Sequence, residues 1–207
     1  MSIFSRFKKP AKHNPAEQLV GYSVSELRSV FTEPLLRLTQ RLTGRPQVVS
    51  LDDVGVAAYY SAFLIENEDA LKLLKLIESN FEFESEKPFK DLPVRRYSGI
   101  QKNEHLIYLK SDGEFNSTTV RMVTNSIEFL GIIQNEKLAV PPPWVAFDGY
   151  NPLWWGGNMQ GAQGYYNDNY FVPFFTQLSD TEKQEYFVRF KATDEWIESL
   201  ELMYGED

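Results

Sequence analysis

The stretch 141–175 reads PPPWVAFDGYNPLWWGGNMQGAQGYYNDNYFVPFF, and it places three of the chain's four Trp within twelve positions among prolines and glycines. Neither the 3.6-residue period of a helix nor the two-residue period of a strand runs through it. Three consecutive prolines favour an extended path, so Pro141, Pro142 and Pro143 predict a rigid spacer that fixes where Trp144 arrives. The rings that follow carry more apolar area than a loop normally exposes, and most of them are therefore expected to close the core. Gly161 and Gly164, with Asn167 and Asn169, are expected to interrupt any orderly helix and to leave a few rings at the surface.

Elsewhere helices dominate the pattern. Ser23 and Glu26 have the spacing of a capping box, and Leu27, Phe31, Leu35, Leu38 and Leu42 continue one apolar face. Pro34 dictates a kink or a restart within that run. Residues 52–79 are predicted as two helical pieces, the first lined by Ala57, Tyr60 and Leu64 and the second by Leu71, Leu74 and Ile77, with a boundary near Asn67. Residues 81–99 contain Pro88 and Pro93 and read as a long connection with an edge strand at 81–83. Residues 105–110 alternate as a strand closed by Ser111-Asp112-Gly113. A helix capped by Asn116 or Ser117 is expected to carry Val120, Val123, Ile127 and Leu130. Ser179 and Glu182 offer a second capping box, and Trp196 and Leu200 sit four apart on a final element.

The predicted class is α+β: a mainly helical single domain over 14–207 with a small β element and a long aromatic-rich Pro/Gly loop region. A length of 207 residues with 43% hydrophobic and 24% charged side chains suits one core of that size. Residues 1–13 form a separate basic arm of charge +4. The other 194 residues hold 17 basic and 29 acidic side chains, a balance of −12. That sign disfavours nucleic acid as a partner. Ile3, Phe4 and Phe7 interleave with the arm's cations and offer a membrane contact, but a loose terminus is the simpler expectation. The absence of Cys excludes disulfides and thiolate chemistry, and the lack of a long apolar run leads to a cytoplasmic expectation.

Catalytic constellations are missing. No phosphate loop, dinucleotide fingerprint or zinc-protease helix occurs, and Gly156-Gly157 lacks a nearby lysine. Only His13 and His105 could supply imidazole, so no cofactor or metal is expected, and the chain reads as a binding protein rather than an enzyme. The expected binding residues are Trp144, Tyr150, Trp154, Trp155, Tyr165 and Tyr166, flanked by the carboxylates Asp148 and Asp168. Rigid aromatics beside short polar residues suit protein interfaces. The first expectation is thus an acidic intracellular protein-binding module whose partner is another, basic protein. Its composition is similar in character to acidic inhibitors that neutralise basic toxin or nuclease domains, of which a bacterial immunity protein is the specific version. The alternative is a carbohydrate-binding protein or glycoside hydrolase that stacks sugars on the indoles and uses Asp148 and Asp168 as acids.

Overall fold

The computed structural model describes residues 18–34, 45–100, 103–157 and 159–205. Six strands run through them: β1 (Val49–Ser50), β2 (Tyr59–Ile65), β3 (Phe81–Phe89), β4 (Leu92–Gly99), β5 (His105–Glu114) and β6 (Ser117–Thr124). They form one antiparallel sheet in the order β1-β2-β6-β5-β4-β3. Helical residues still outnumber strand residues, so the class is α+β. The sheet is nevertheless the organising layer and not a small element.

Three expectations fail, each at a strand. Tyr60 and Leu64 lie on β2 rather than on a helix, because β2 is buried on both faces and its apolar run YYSAFLI carries no alternation to betray a strand. Residues 81–99 form a hairpin rather than a connection, turned by Lys90 and Asp91, both at positive φ. Pro88 is tolerated there because β3 is the outermost strand. Val120 and Val123 belong to β6, reached from β5 through a second two-residue turn at Phe115 and Asn116, again at positive φ. Neither turn has the Asn-Gly or Asp-Gly signature that announces a hairpin in sequence.

The helices fall closer to expectation. Helix α1 (Val24–Val30) starts with the Ser23–Glu26 capping box, where the serine N–H, the serine hydroxyl and Lys87 hold the Glu26 carboxyl down at about 2. It ends before Pro34, and Leu35, Leu38 and Leu42 lie outside the described residues, as does the basic arm 1–13. Helix α2 (Asn67–Asn80) begins where the sequence places it, and α3 (Ile127–Asn135) is capped by Ser126 rather than by Asn116 or Ser117. One face of the sheet presents Phe63, Leu106, Val120 and Met122 to Leu73 and Ile77 of α2 and to Phe129 and Ile133 of α3. The opposite face packs Ile107, Leu109 and Val123 against Leu27 and Val30 of α1.

The segment after α3 is helical where a loop was expected. Helix α4 (Pro143–Ala146) follows the proline run, and α5 (Gly161–Tyr166), a π-helical stretch Asn167–Phe171 and α6 (Val172–Phe175) then form one continuous path. The wider π turn lets Val172 N–H reach Asn167 O immediately before Pro173, which has no N–H to give. Helices α7 (Asp180–Arg189) and α8 (Asp194–Tyr204) complete the layer, and α7 opens with the expected Ser179–Glu182 capping box.

Residues 139–143 join this layer to the sheet, and all five are buried. Ala139 N–H donates to Asp69 Oδ2 at 2.8 Å, and Ala139 O accepts from Glu66 N at 3.1 Å. Val140 O accepts the Tyr186 hydroxyl at 2.7 Å, Pro141 O accepts the Tyr166 hydroxyl, and Pro142 O and Pro143 O start α4. Each buried carbonyl is thus satisfied although the prolines can pair in no ladder. Arg189 of α7 adds ion pairs to Glu66 and to the buried Asp69. Replacing Tyr186 by Phe strands the Val140 carbonyl and should cost about 1–3 kcal/mol in urea unfolding. Tyr60→Phe, which removes a buried hydroxyl with no partner among the described residues, should cost nothing measurable.

Candidate functional site

The exposed large apolar side chains described in the aromatic segment, Leu153 and Trp154, sit on a single turn of 3-10 helix, Pro152–Trp154. Asn151 caps it, its side-chain oxygen accepting from Leu153 N at 2.9 Å, and Pro152 fixes the first position. Ser199 of α8 donates to Pro152 O at 3.0 Å and pins the turn to that helix. Gly156, at φ +84°, lets the chain leave the turn against α8: a Cβ there would stand 1.9 Å from Met203 Sδ. The result is a rigid ridge on which Leu153 is 82% and Trp154 69% exposed.

The other expected binding residues divide by burial. Trp155 is 3% exposed, and Tyr166 is fully enclosed among Phe147, Trp155 and Phe171, so neither belongs to a recognition surface. Burial raises the Tyr166 hydroxyl far above its usual range, which keeps it a donor to Pro141. Trp144 is half-buried, tilted against Trp196 with ring centroids 5.3 Å apart, and donates from Nε1 to Phe190 O at 2.9 Å. Tyr150 packs edge-on to Trp155, and Tyr165 edge-on to Tyr170. These partly exposed rings have structural contacts of their own. Asp148 and Asp168 are both exposed. Asp168 lines a shallow cleft of about 360 Å³ with Gly156, Gly157 and Tyr204, and Asp148 does not. The acid pair that a glycoside hydrolase needs is therefore not gathered around one cleft.

What sequence reasoning missed is the partner of the ridge. On α8, Trp196 and Leu200 face the core, whereas Glu195, Glu198 and Leu202 fall on the exposed side at spacings of three and four. Ser199, which holds the ridge, is one turn from both Glu195 and Leu202, so the acidic face of α8 continues into Leu153 and Trp154. Leu202 is 90% exposed and stands off the Trp196/Leu200 stripe, a signal that was present in the sequence. Residues 139–207 hold eleven carboxylate side chains and three cations, a balance of −8, which equals the net charge of the whole chain. That is two thirds of the −12 carried by residues 14–207, so most of the body's negative charge lies in this segment.

His105 is half-buried with its ring edge against Phe31, and burial together with nearby Arg96 lowers its pKa, so it stays neutral. Among the described residues no group of three or more His, Cys, Asp or Glu could hold a metal, and no helix is long and apolar enough to cross a membrane. Comparison with protein-family models, curated proteins and solved structures gave no match to this chain.

The division of the tryptophans has a direct energetic consequence. Trp155→Ala should lower unfolding free energy by roughly 3–5 kcal/mol, because it removes a ring enclosed by other rings. Trp154→Ala should change it by less than about 0.5 kcal/mol. Paired chemical-denaturation curves check both.

Proposed function

We propose that this protein is a protein-binding module whose contact surface is the Leu153–Trp154 ridge together with the acidic face of α8, and that its partner is a basic protein. The observation that carries this reading is the ridge itself: a Trp and a Leu held out in solvent on a turn that Asn151, Pro152 and Ser199 make rigid. A preorganised aromatic loses little conformational entropy on docking, and Trp is among the strongest interface anchors. Carboxylates around it would steer a cationic partner and set the salt dependence of association. A toxin or nuclease domain with a basic active surface fits that chemistry, and occlusion of its site would make the module an immunity-type inhibitor.

The carbohydrate reading draws on the same indole, since Trp154 could stack on a sugar ring near the cleft of Asp168. With Trp155 and Tyr166 buried it has one platform rather than several, and it ranks second.

Affinity capture from native extract, repeated with Trp154→Ala and with Glu195→Lys plus Glu198→Lys, separates the two. The expected result is a stoichiometric basic protein, held more tightly at low than at physiological salt and lost with either variant. Capture of nothing at either salt, or capture indifferent to both variants, contradicts the proposal. Glycan-array binding that depends on Trp154 would favour the sugar reading.

A further inference from the structure

A second site shares no residue with the ridge. The sheet face beneath α2 extends past that helix toward the β5–β6 turn, leaving a groove of about 690 Å³. That size falls within the range of small-molecule pockets. Its roof is the α2 stripe Asn67, Ala70, Leu71 and Leu74, spaced to share one helical face. Its floor comes from three neighbouring strands: Pro93 and Arg95 of β4, Tyr108, Lys110 and Asp112 of β5, and Thr118 of β6. Leu71 is 63% exposed at the rim, an apolar side chain with no covering partner among the described residues.

The polar groups on that floor are mostly donors. Arg95 and Tyr108 are directly paired across β4 and β5, and Lys110 follows Tyr108 on the same face two residues along. The Tyr108 ring is buried, yet its hydroxyl finds no hydrogen-bond partner among the described residues. Burial raises its pKa, so it remains a protonated donor. A shielded donor without an acceptor is costly and calls for an explanation. Glu86 engages Arg95 through Nε at 2.9 Å and Asp112 engages Lys110 at 3.0 Å. Both are exposed pairs of the kind worth about 0–1 kcal/mol, weak enough to turn toward another anion. The Thr118 hydroxyl donates between Asn67 Oδ1 and Asp112 Oδ1, each 2.9 Å away, and neither of these acceptors pairs with the Tyr108 hydroxyl.

We propose that this groove binds a small amphipathic carboxylate, its apolar body against Ala70, Leu71, Leu74 and Pro93 and its carboxylate accepting from the Tyr108 hydroxyl and from Arg95 or Lys110. One oxygen satisfies the stranded hydroxyl and the other meets a cation, which a neutral or cationic ligand of the same shape cannot do. The ligand class follows from the donor set and the apolar stripe, and binding here is independent of any partner on the ridge.

Methyl NMR of the full chain tests it, with octanoate and 4-phenylbutyrate as probes and octylammonium and 4-phenylbutanol as matched controls. Saturable shifts of the Leu71 and Leu74 methyls are expected with the two carboxylates and not with the controls. Tyr108→Phe removes only an unbonded hydroxyl, so it should melt at or above the parent temperature while weakening carboxylate binding about tenfold or more. Arg95→Gln, at the open edge, should weaken it in the same direction, and Leu71→Asp should abolish it. Absence of saturable shifts at millimolar carboxylate, equal shifts with the controls, or undiminished binding in both Tyr108→Phe and Arg95→Gln would overturn the proposal.

Discussion

Residues 139–143 are the constraint on which the rest of the structure depends. Three consecutive prolines run through the interior, where a backbone that cannot pair in a ladder would normally leave carbonyls stranded. Tyrosine hydroxyls from two different helices close the Pro141 and Val140 carbonyls, and Glu66 N–H closes that of Ala139. Asp69 takes the Ala139 N–H and pairs with Arg189, so the first turn of α2 and the last turn of α7 grip the same short segment. Asp69 is the buried member of that pair, and loss of the exposed Arg189 leaves its carboxylate without its cation, which makes the join sensitive to removal of one partner.

The consequence is a sharp sorting of the aromatic residues. Once Tyr166 and Tyr186 are drawn inward to cap the proline path, Trp155, Phe171 and Phe175 must pack around them, and their rings stack and tilt against one another in one cluster. Little room remains for an indole from Pro152–Trp154, and the turn is clamped from below by Ser199. Trp154 and Trp155 are neighbours in sequence and opposites in environment. The ridge is thus a by-product of how the layer closes, and the acids of α8 beside it turn an exposed Trp into a charged, oriented surface.

How much of this was legible depended on local signals. The two capping boxes at Ser23 and Ser179 were readable because both partners lie three residues apart in sequence, and both formed. Helix α2 announced itself by Leu71, Leu74 and Ile77. Strands β2 and β6 did not, because burial on both faces erases the alternation that identifies a strand, and Val120, Val123 and Ile127 mimic a helical stripe across a strand-to-helix boundary. The hairpins were hidden by turns built from Lys90-Asp91 and Phe115-Asn116. At the candidate site, the density of aromatics drew attention to 141–175, but which rings face water is a tertiary property. Trp155 and Tyr166 are buried by rings as distant in sequence as Trp196 and Phe115, and no spacing rule within 141–175 contains that information.

The layer closes with Trp154 outside and its neighbour Trp155 inside. Fluorine NMR of protein carrying 5-fluorotryptophan at its four Trp, compared in H2O and D2O, tests it most directly. One resonance, removed by Trp154→Phe, should show the large solvent-isotope shift of an exposed ring, with the Trp155 and Trp196 resonances nearly silent and Trp144 between them. A Trp155 resonance as responsive as that of Trp154 would contradict the account.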